Sequence, residues 1–135
     1  MPTAVAQVLK LKGIQPSAQR VAVASFVLAT DSHPSADQVW AHVKQGFPML
    51  SRATVYNTLN LLVAKGLLRE LVLAEGRVVF DPKLERHHHF VDEGDGTICD
   101  IPWEALSVGR VEQLANFEVS EYQVVLRGKR KQRPG

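Results

Sequence analysis

Apolar residues recur at helical spacing from Ala4 to Leu11, and Gly13 closes that stretch in the manner of a helix C-terminus. Pro16 and Ser17 predict a second helix starting at Ser17. Pro34 and Ser35 announce a third, in which Ser35 as N-cap and Gln38 three positions later form a capping box, with Val39, Trp40 and Val43 on the buried side. Pro48 then interrupts the chain, Ser51 is a cap, and Val55, Leu59, Leu62 and Val63 make one apolar face running to Gly66. Past Gly66 the period shortens to two. LLRELVL, a turn at Glu75 and Gly76, and RVVF read as a hairpin, so residues 1–82 are expected to form a winged helix-turn-helix with Asp81-Pro82-Lys83 as its hinge. In residues 83–135, HHHFV, a turn at EGDG and TICDI read as a second antiparallel pair, Trp103 to Ala115 as a helix, and SEYQVVLRG as a final strand. The fold class is α+β, an N-terminal winged helix followed by a small α/β domain. About 50 residues bury little core alone, so that domain is expected to dimerise.

The 135 residues are 45% apolar and 22% charged, the balance of a folded soluble chain rather than a disordered one. No apolar run approaches the roughly 20 residues that span a bilayer, and the start MPTAVAQVLKLKG lacks a signal-peptide pattern, which points to the cytoplasm and away from membranes. The single cysteine, Cys99, excludes an intrachain disulfide and a Cys-x-x-Cys zinc site, and reads as a strand residue. The net charge of +2 conceals an asymmetry. Residues 1–72 carry seven basic and three acidic residues, residues 73–126 carry four and eleven, and the last nine carry five basic and none acidic. A basic front suits phosphate, and an acidic middle attracts cations.

The segment SRATVYNTLNLLVAKGLLREL places Ser51, Arg52, Thr54, Tyr56 and Asn57 at the front of a helix whose other side is apolar. Such groups serve phosphate contact and base-edge readout in a major groove of double-stranded DNA. Lys10, Lys12 and Arg20, with Arg69 and Arg77, are candidates for further phosphate contacts. The same face would also suit a solvated helix, and the helix and its charge alone do not decide between the two.

On a strand the side chains alternate, so His87 and His89 share one face and His88 takes the other. Asp81 lies six residues before His87, Asp100 lies eleven after His89 on the paired strand, and His33 ends the loop before the third helix. Three imidazoles and two carboxylates suit Fe(II) or Mn(II), whereas structural zinc prefers four ligands, mostly thiolates and imidazoles. Spacing alone does not join the five. Two histidines and a carboxylate would also suit a non-haem iron enzyme, although nothing in the chain suggests a substrate pocket. His88 is left to a second site or to solvent.

Across nearly its full length the chain resembles the ferric uptake regulator superfamily of metal-dependent repressors. The resemblance is carried by GIQPSAQR, HPSADQVW, SRATVYNTLNLLVAKGLLREL, VVFD and HHHF followed by TICDI, in that order. It implies a homodimer that closes on a palindromic operator when metal bridges the DNA-binding and dimerisation halves. It is closest to the peroxide-responsive branch, whose regulatory site matches His33, Asp81, His87, His89 and Asp100 in type and spacing. Aspartates stand where iron-sensing relatives commonly have glutamate, and Asn57 where many of them have arginine. In that branch Fe(II) reacts with peroxide and the oxidant attacks a ligand, by position His33 or His87. One departure is plain: Asp92 and Asp95 occupy the places of the first structural-zinc cysteine pair, and the basic tail RGKRKQR replaces the second. Structural zinc is therefore not expected, and dimer stability is assigned to apolar packing of the strands and the Trp103–Ala115 helix. The rhizobial iron-response regulators also combine a triple histidine with missing cysteines, which keeps an iron-, manganese- or haem-responsive role open.

Overall fold

The computed structural model describes residues 4–132; the ends of both predicted domains, at residues 1 and 135, and Arg133 of the basic tail lie outside the described residues. The chain divides into two compact units, the first ending at Leu84 and the second beginning at Glu85.

Four helices precede a two-stranded wing in the first unit: α1 (Ala4–Leu11), α2 (Ala18–Val27), α3 (Ala36–Val43) and α4 (Arg52–Ala64), then β1 (Arg69–Val72) and β2 (Val78–Asp81). The caps explain where the helices begin. Ser17, Ser35 and Ser51 each accept a backbone N–H three residues on, and Ser35 with Gln38 makes the reciprocal capping box. Gly66, at φ +75°, lies just past α4 in the left-handed region that ends helices at little cost. The wing is antiparallel, with Glu70 opposite Phe80 and Leu71 opposite Val79. Its turn places Glu75 and Gly76 at φ +60° and +74°, the handedness that matches the twist of a hairpin. Leu9, Val23, Val27, Val39, Val55, Leu59 and Leu62 are fully buried in one core. Trp40 and Val63, expected in that core, are half-buried at its margin.

The second unit is a three-stranded sheet ordered β4-β3-β5, from β3 (His87–Asp92), β4 (Ile98–Pro102) and β5 (Val125–Gly128). The β3–β4 hairpin is antiparallel, whereas β5 runs parallel to β3. Parallel neighbours need a long crossover, and residues 103–124 supply it. The expected Trp103–Ala115 helix does not form. Only single 3₁₀ turns appear, at Trp103–Ala105 and Val111–Gln113, with Leu106 extended and Arg110 left-handed at φ +66°. Gly109 interrupts the segment, although Trp103, Leu106, Val111 and Leu114 fall at helical spacing. A short helix takes most of its stability from packing an apolar face, and residues 107–110 and 112–121 are exposed. The final strand is correspondingly shorter than SEYQVVLRG: Ser120 to Val124 lie outside it.

Candidate metal ligands and nucleic-acid interface

Within the first unit, the loop before α3 carries His33 and the end of β2 carries Asp81. Phe80 N–H donates to Pro34 O at 2.9 Å, which fastens the loop to the strand one residue away from each side chain. His33 Nε2 then lies 3.3 Å from Asp81 Oδ2, with both residues buried. Asp81 Oδ1 accepts Lys83 N–H at 2.9 Å, so the carboxylate is oriented by its own turn and presents the other oxygen to His33. His33 itself is held at φ +52°, a conformation that costs a non-glycine residue about 1–3 kcal/mol and persists only where the surroundings enforce it.

Within the second unit, the β3–β4 register sets Asp100 opposite His89 and Pro102 opposite His87. Asp100 Oδ1 lies 3.4 Å from His87 Nε2 and 3.7 Å from His89 Nε2, and the two imidazoles meet edge to face at 4.5 Å. One ligand atom from each of the three lies within 4.8 Å of the others. The far sides of the rings are also held. His87 Nδ1 is 2.6 Å from Glu85 O, and His89 Nδ1 is 2.8 Å from Gln123 Oε1. A carbonyl oxygen can only accept, so each Nδ1 carries the proton, and in the neutral imidazole Nε2 then offers its lone pair. This is the arrangement by which outer partners orient metal-binding histidines. Gln123 escaped sequence reasoning because it lies 34 residues from His89, in a stretch read as a plain strand; its polarity amid Tyr122, Val124 and Val125 was the one available signal.

His88 belongs neither to a second site nor to solvent. It is 1% exposed, stacks on Trp103 at 4.6 Å and accepts Val124 N–H on Nδ1 at 2.9 Å. Trp103 in turn touches Tyr122 and lies under the Arg86 guanidinium. His88 therefore positions the approach to β5, one residue from Gln123.

At the turn after β3, Arg130 Nη1 lies 3.7 Å from Asp92 and from Asp95, while its Nη2 donates to Thr97 Oγ1 at 2.7 Å and to Cys99 Sγ at 3.0 Å. A guanidinium two residues past β5 thus joins the end of that strand to the β3–β4 hairpin. Backbone and hydroxyl hydrogen bonds from Thr97, with help from Arg130, hold the Asp95 carboxyl below its ordinary range, and Cys99 raises Arg130 above its own.

In the first unit, α4 buries Val55, Thr58, Leu59 and Leu62 and leaves Arg52, Tyr56 and Asn57 exposed. Ser51 and Thr54 are engaged with each other: Thr54 N–H donates to Ser51 Oγ at 3.1 Å, and the two hydroxyls are 2.9 Å apart. Lys10 and Lys12 are exposed at the end of α1, whereas half-buried Arg20 donates to Gln15 O at 3.1 Å. Arg69 and Arg77 are half-buried on the wing.

The sequence profile of the ferric uptake regulator family matches residues 11–127. The peroxide-responsive repressor PerR of Staphylococcus saprophyticus is 32% identical over 124 residues, covering 89% of this chain and 82% of that one. Among solved structures, a Campylobacter jejuni peroxide stress regulator is 25% identical with a TM-score of 0.69, covering 98% of this chain and all of that one. The ferric uptake regulator of Pseudomonas aeruginosa, solved with manganese, is 21% identical with a TM-score of 0.68, covering 96% of this chain and 100% of that one. A profile match over most of the sequence, together with full-length similarity of sequence and fold, establishes that this chain belongs to the ferric uptake regulator family.

Proposed function

We propose that this protein is a peroxide-sensing repressor in which His33, Asp81, His87, His89 and Asp100 together form one regulatory site for Fe(II) or Mn(II). Members of the family are metal-responsive transcriptional repressors that bind DNA as dimers, and not enzymes. The observation that carries the reading is the His87–His89–Asp100 group, whose Nδ1 atoms are both committed to carbonyl oxygens and whose Nε2 atoms converge on one carboxylate oxygen. In the first unit, His33 Nε2 likewise faces a buried carboxylate, that of Asp81. Buried nitrogens and carboxylates without thiolates fit Fe(II) or Mn(II), which take five or six ligands.

Ligands supplied by both units give metal a differential affinity for the arrangement that assembles all five. Moving a population from about 1% to 99% needs about 5.5 kcal/mol of such difference, within reach of several shared ligands. Iron held by these residues would activate peroxide, one oxygen of which would be inserted into His33 or His87 while the other leaves as water; the oxidised imidazole would be a poorer ligand, and the arrangement that assembles all five would be lost. The basic α4 surface, with Arg52, Tyr56 and Asn57 foremost and Lys10, Lys12, Arg20, Ser51 and Thr54 around them, reads a palindromic operator, two copies of the chain matching its symmetry. Zinc has no structural part in this reading, and the protein works in the cytoplasm; no described helix is long and apolar enough to cross a membrane.

The test is operator binding with Fe(II), Mn(II) or chelator, before and after hydrogen peroxide, with mass spectrometry of the peptides holding His33 and His87. Metal-dependent binding, lost with a single added oxygen in the iron sample alone, is expected. Peroxide that leaves both the peptides and DNA binding unchanged would overturn peroxide sensing; haem, rather than iron, restoring regulation would reassign the signal.

A further inference from the structure

Trp40 is half-buried in the middle of α3, and two cations lie over its indole: Lys44 Nζ at 3.9 Å from the ring centroid and the Arg52 guanidinium carbon at 4.3 Å. The ring is fixed by its own N–H, which donates to Leu50 O at 2.9 Å, just before the Ser51 cap of α4. Asp37 Oδ1 lies 3.6 Å from Arg52 Nε, with side chains 64% and 63% exposed. Two cations beside one indole repel each other, and Asp37 is the carboxylate that meets Arg52. Flexible cationic side chains normally lose rotamer freedom when they bind; here the indole has restricted both beforehand.

We propose that Trp40 is a platform that presents Lys44 and Arg52 together as a clamp for one segment of DNA backbone phosphate, with Asp37 as the counter-ion that phosphate displaces. This rests on the reading of α4 as the DNA-reading helix and adds to it Lys44, a residue of α3's C-terminus, as a contact and Trp40 as a positioning residue. The exchange is cheap at both ends. An exposed carboxylate pair contributes little, and a phosphate gives the guanidinium a stronger charge-assisted partner. Asp37 remains in the first turn of α3, where the positive end of the helix favours it. The contact is indifferent to sequence, so it fixes register while Tyr56 and Asn57 face the bases.

The test uses the full Mn(II)-loaded chain carrying Trp103→Phe, which leaves Trp40 as the one indole, titrated with a mixed-sequence 30-base-pair duplex over a range of KCl. Duplex is expected to change the Trp40 emission. Lys44→Ala and Arg52→Ala are each expected to lower the slope of log affinity against log salt by about 0.9, one phosphate contact apiece. Trp40→Leu should lower the slope with both cations still present; if that variant misfolds, the two exposed-residue variants decide alone. An unchanged slope in Lys44→Ala, or emission blind to DNA, overturns the clamp while Arg52→Ala and Asn57→Ala still weaken binding. If those two also bind normally, the reading of α4 falls with it.

Discussion

The first unit buries Leu9, Val23, Val39, Val55, Leu59 and Leu62 completely, whereas the second buries His87, His88, His89 and Asp92, and among its described residues Ile98 is the one apolar side chain that is buried. Apolar burial is non-directional and contributes about 1.5–3 kcal/mol for each large aliphatic side chain, so the core of the winged helix is held mainly by volume, although His33, Thr58 and Asp81 are buried there too. Burying imidazoles is unfavourable unless each nitrogen finds a partner, so the second unit holds its shape by direction: Glu85 O, Gln123 Oε1, Val124 N–H and Asp100 each occupy a defined position. Several of its apolar side chains lie on the outside, with Val108, Leu114, Phe117 and Val119 exposed. A helical unit with an apolar core thus precedes a unit whose described buried side chains are mostly polar.

The contrast can be broken most severely from the apolar side. Leu59→Ala should cost the first unit about 2–5 kcal/mol, seen in thermal melting and in faster hydrogen exchange across α2 and α4, while exchange in β3 keeps its pattern. Equal loss of protection in β3 would show that the units do not fold as separate cooperative bodies. The polar side is tested by Gln123→Leu, which removes the acceptor from His89 Nδ1 without touching a ligand. Metal affinity is expected to fall about 10–100-fold by isothermal titration, with the melting of α1–α4 unmoved. Unchanged affinity would make Gln123 a packing residue only.

The smallest effect belongs to Arg130→Ala. The Arg130 guanidinium is largely solvated, so faster exchange at Thr97 and Gly128, rather than a lower melting temperature, is the expected readout. Because the Asp95 carboxyl is held below its ordinary 3.8, its contribution is present above that value and disappears as pH falls through the lowered one. Protection at Thr97 that stays constant on acidification would dissociate Asp95 from the clip.

What the sequence disclosed follows the range of the interactions. Ser35 with Gln38, Ser51 with Thr54 and Gly66 act within four residues, and the helices begin and end where they dictate. The pairing of Asp100 with His89 was legible by counting across a tight hairpin. Gln123 on His89, Val124 on His88 and Arg130 on Asp92 join positions more than 30 residues apart and leave no periodic trace. The Trp103–Ala115 segment misled for the opposite reason: its frequent apolar residues resemble a helix, but Gly109 and left-handed Arg110 divide it. Asp92 and Asp95 were recognisable as replacements for cysteines, yet the guanidinium that meets them came from a tail the sequence presented only as basic.

The left-handed backbone at His33 limits what can replace it. Histidine, asparagine and aspartate are the side chains most often tolerated at such a φ, and all three carry an atom able to ligate a cation. A change among them would leave the loop intact while moving the donor from nitrogen to oxygen, toward the preferences of harder ions. If His33 ligates metal as proposed, position 33 is a place where metal preference would drift by point mutation without refolding, a route for passing one scaffold between ions over evolutionary time.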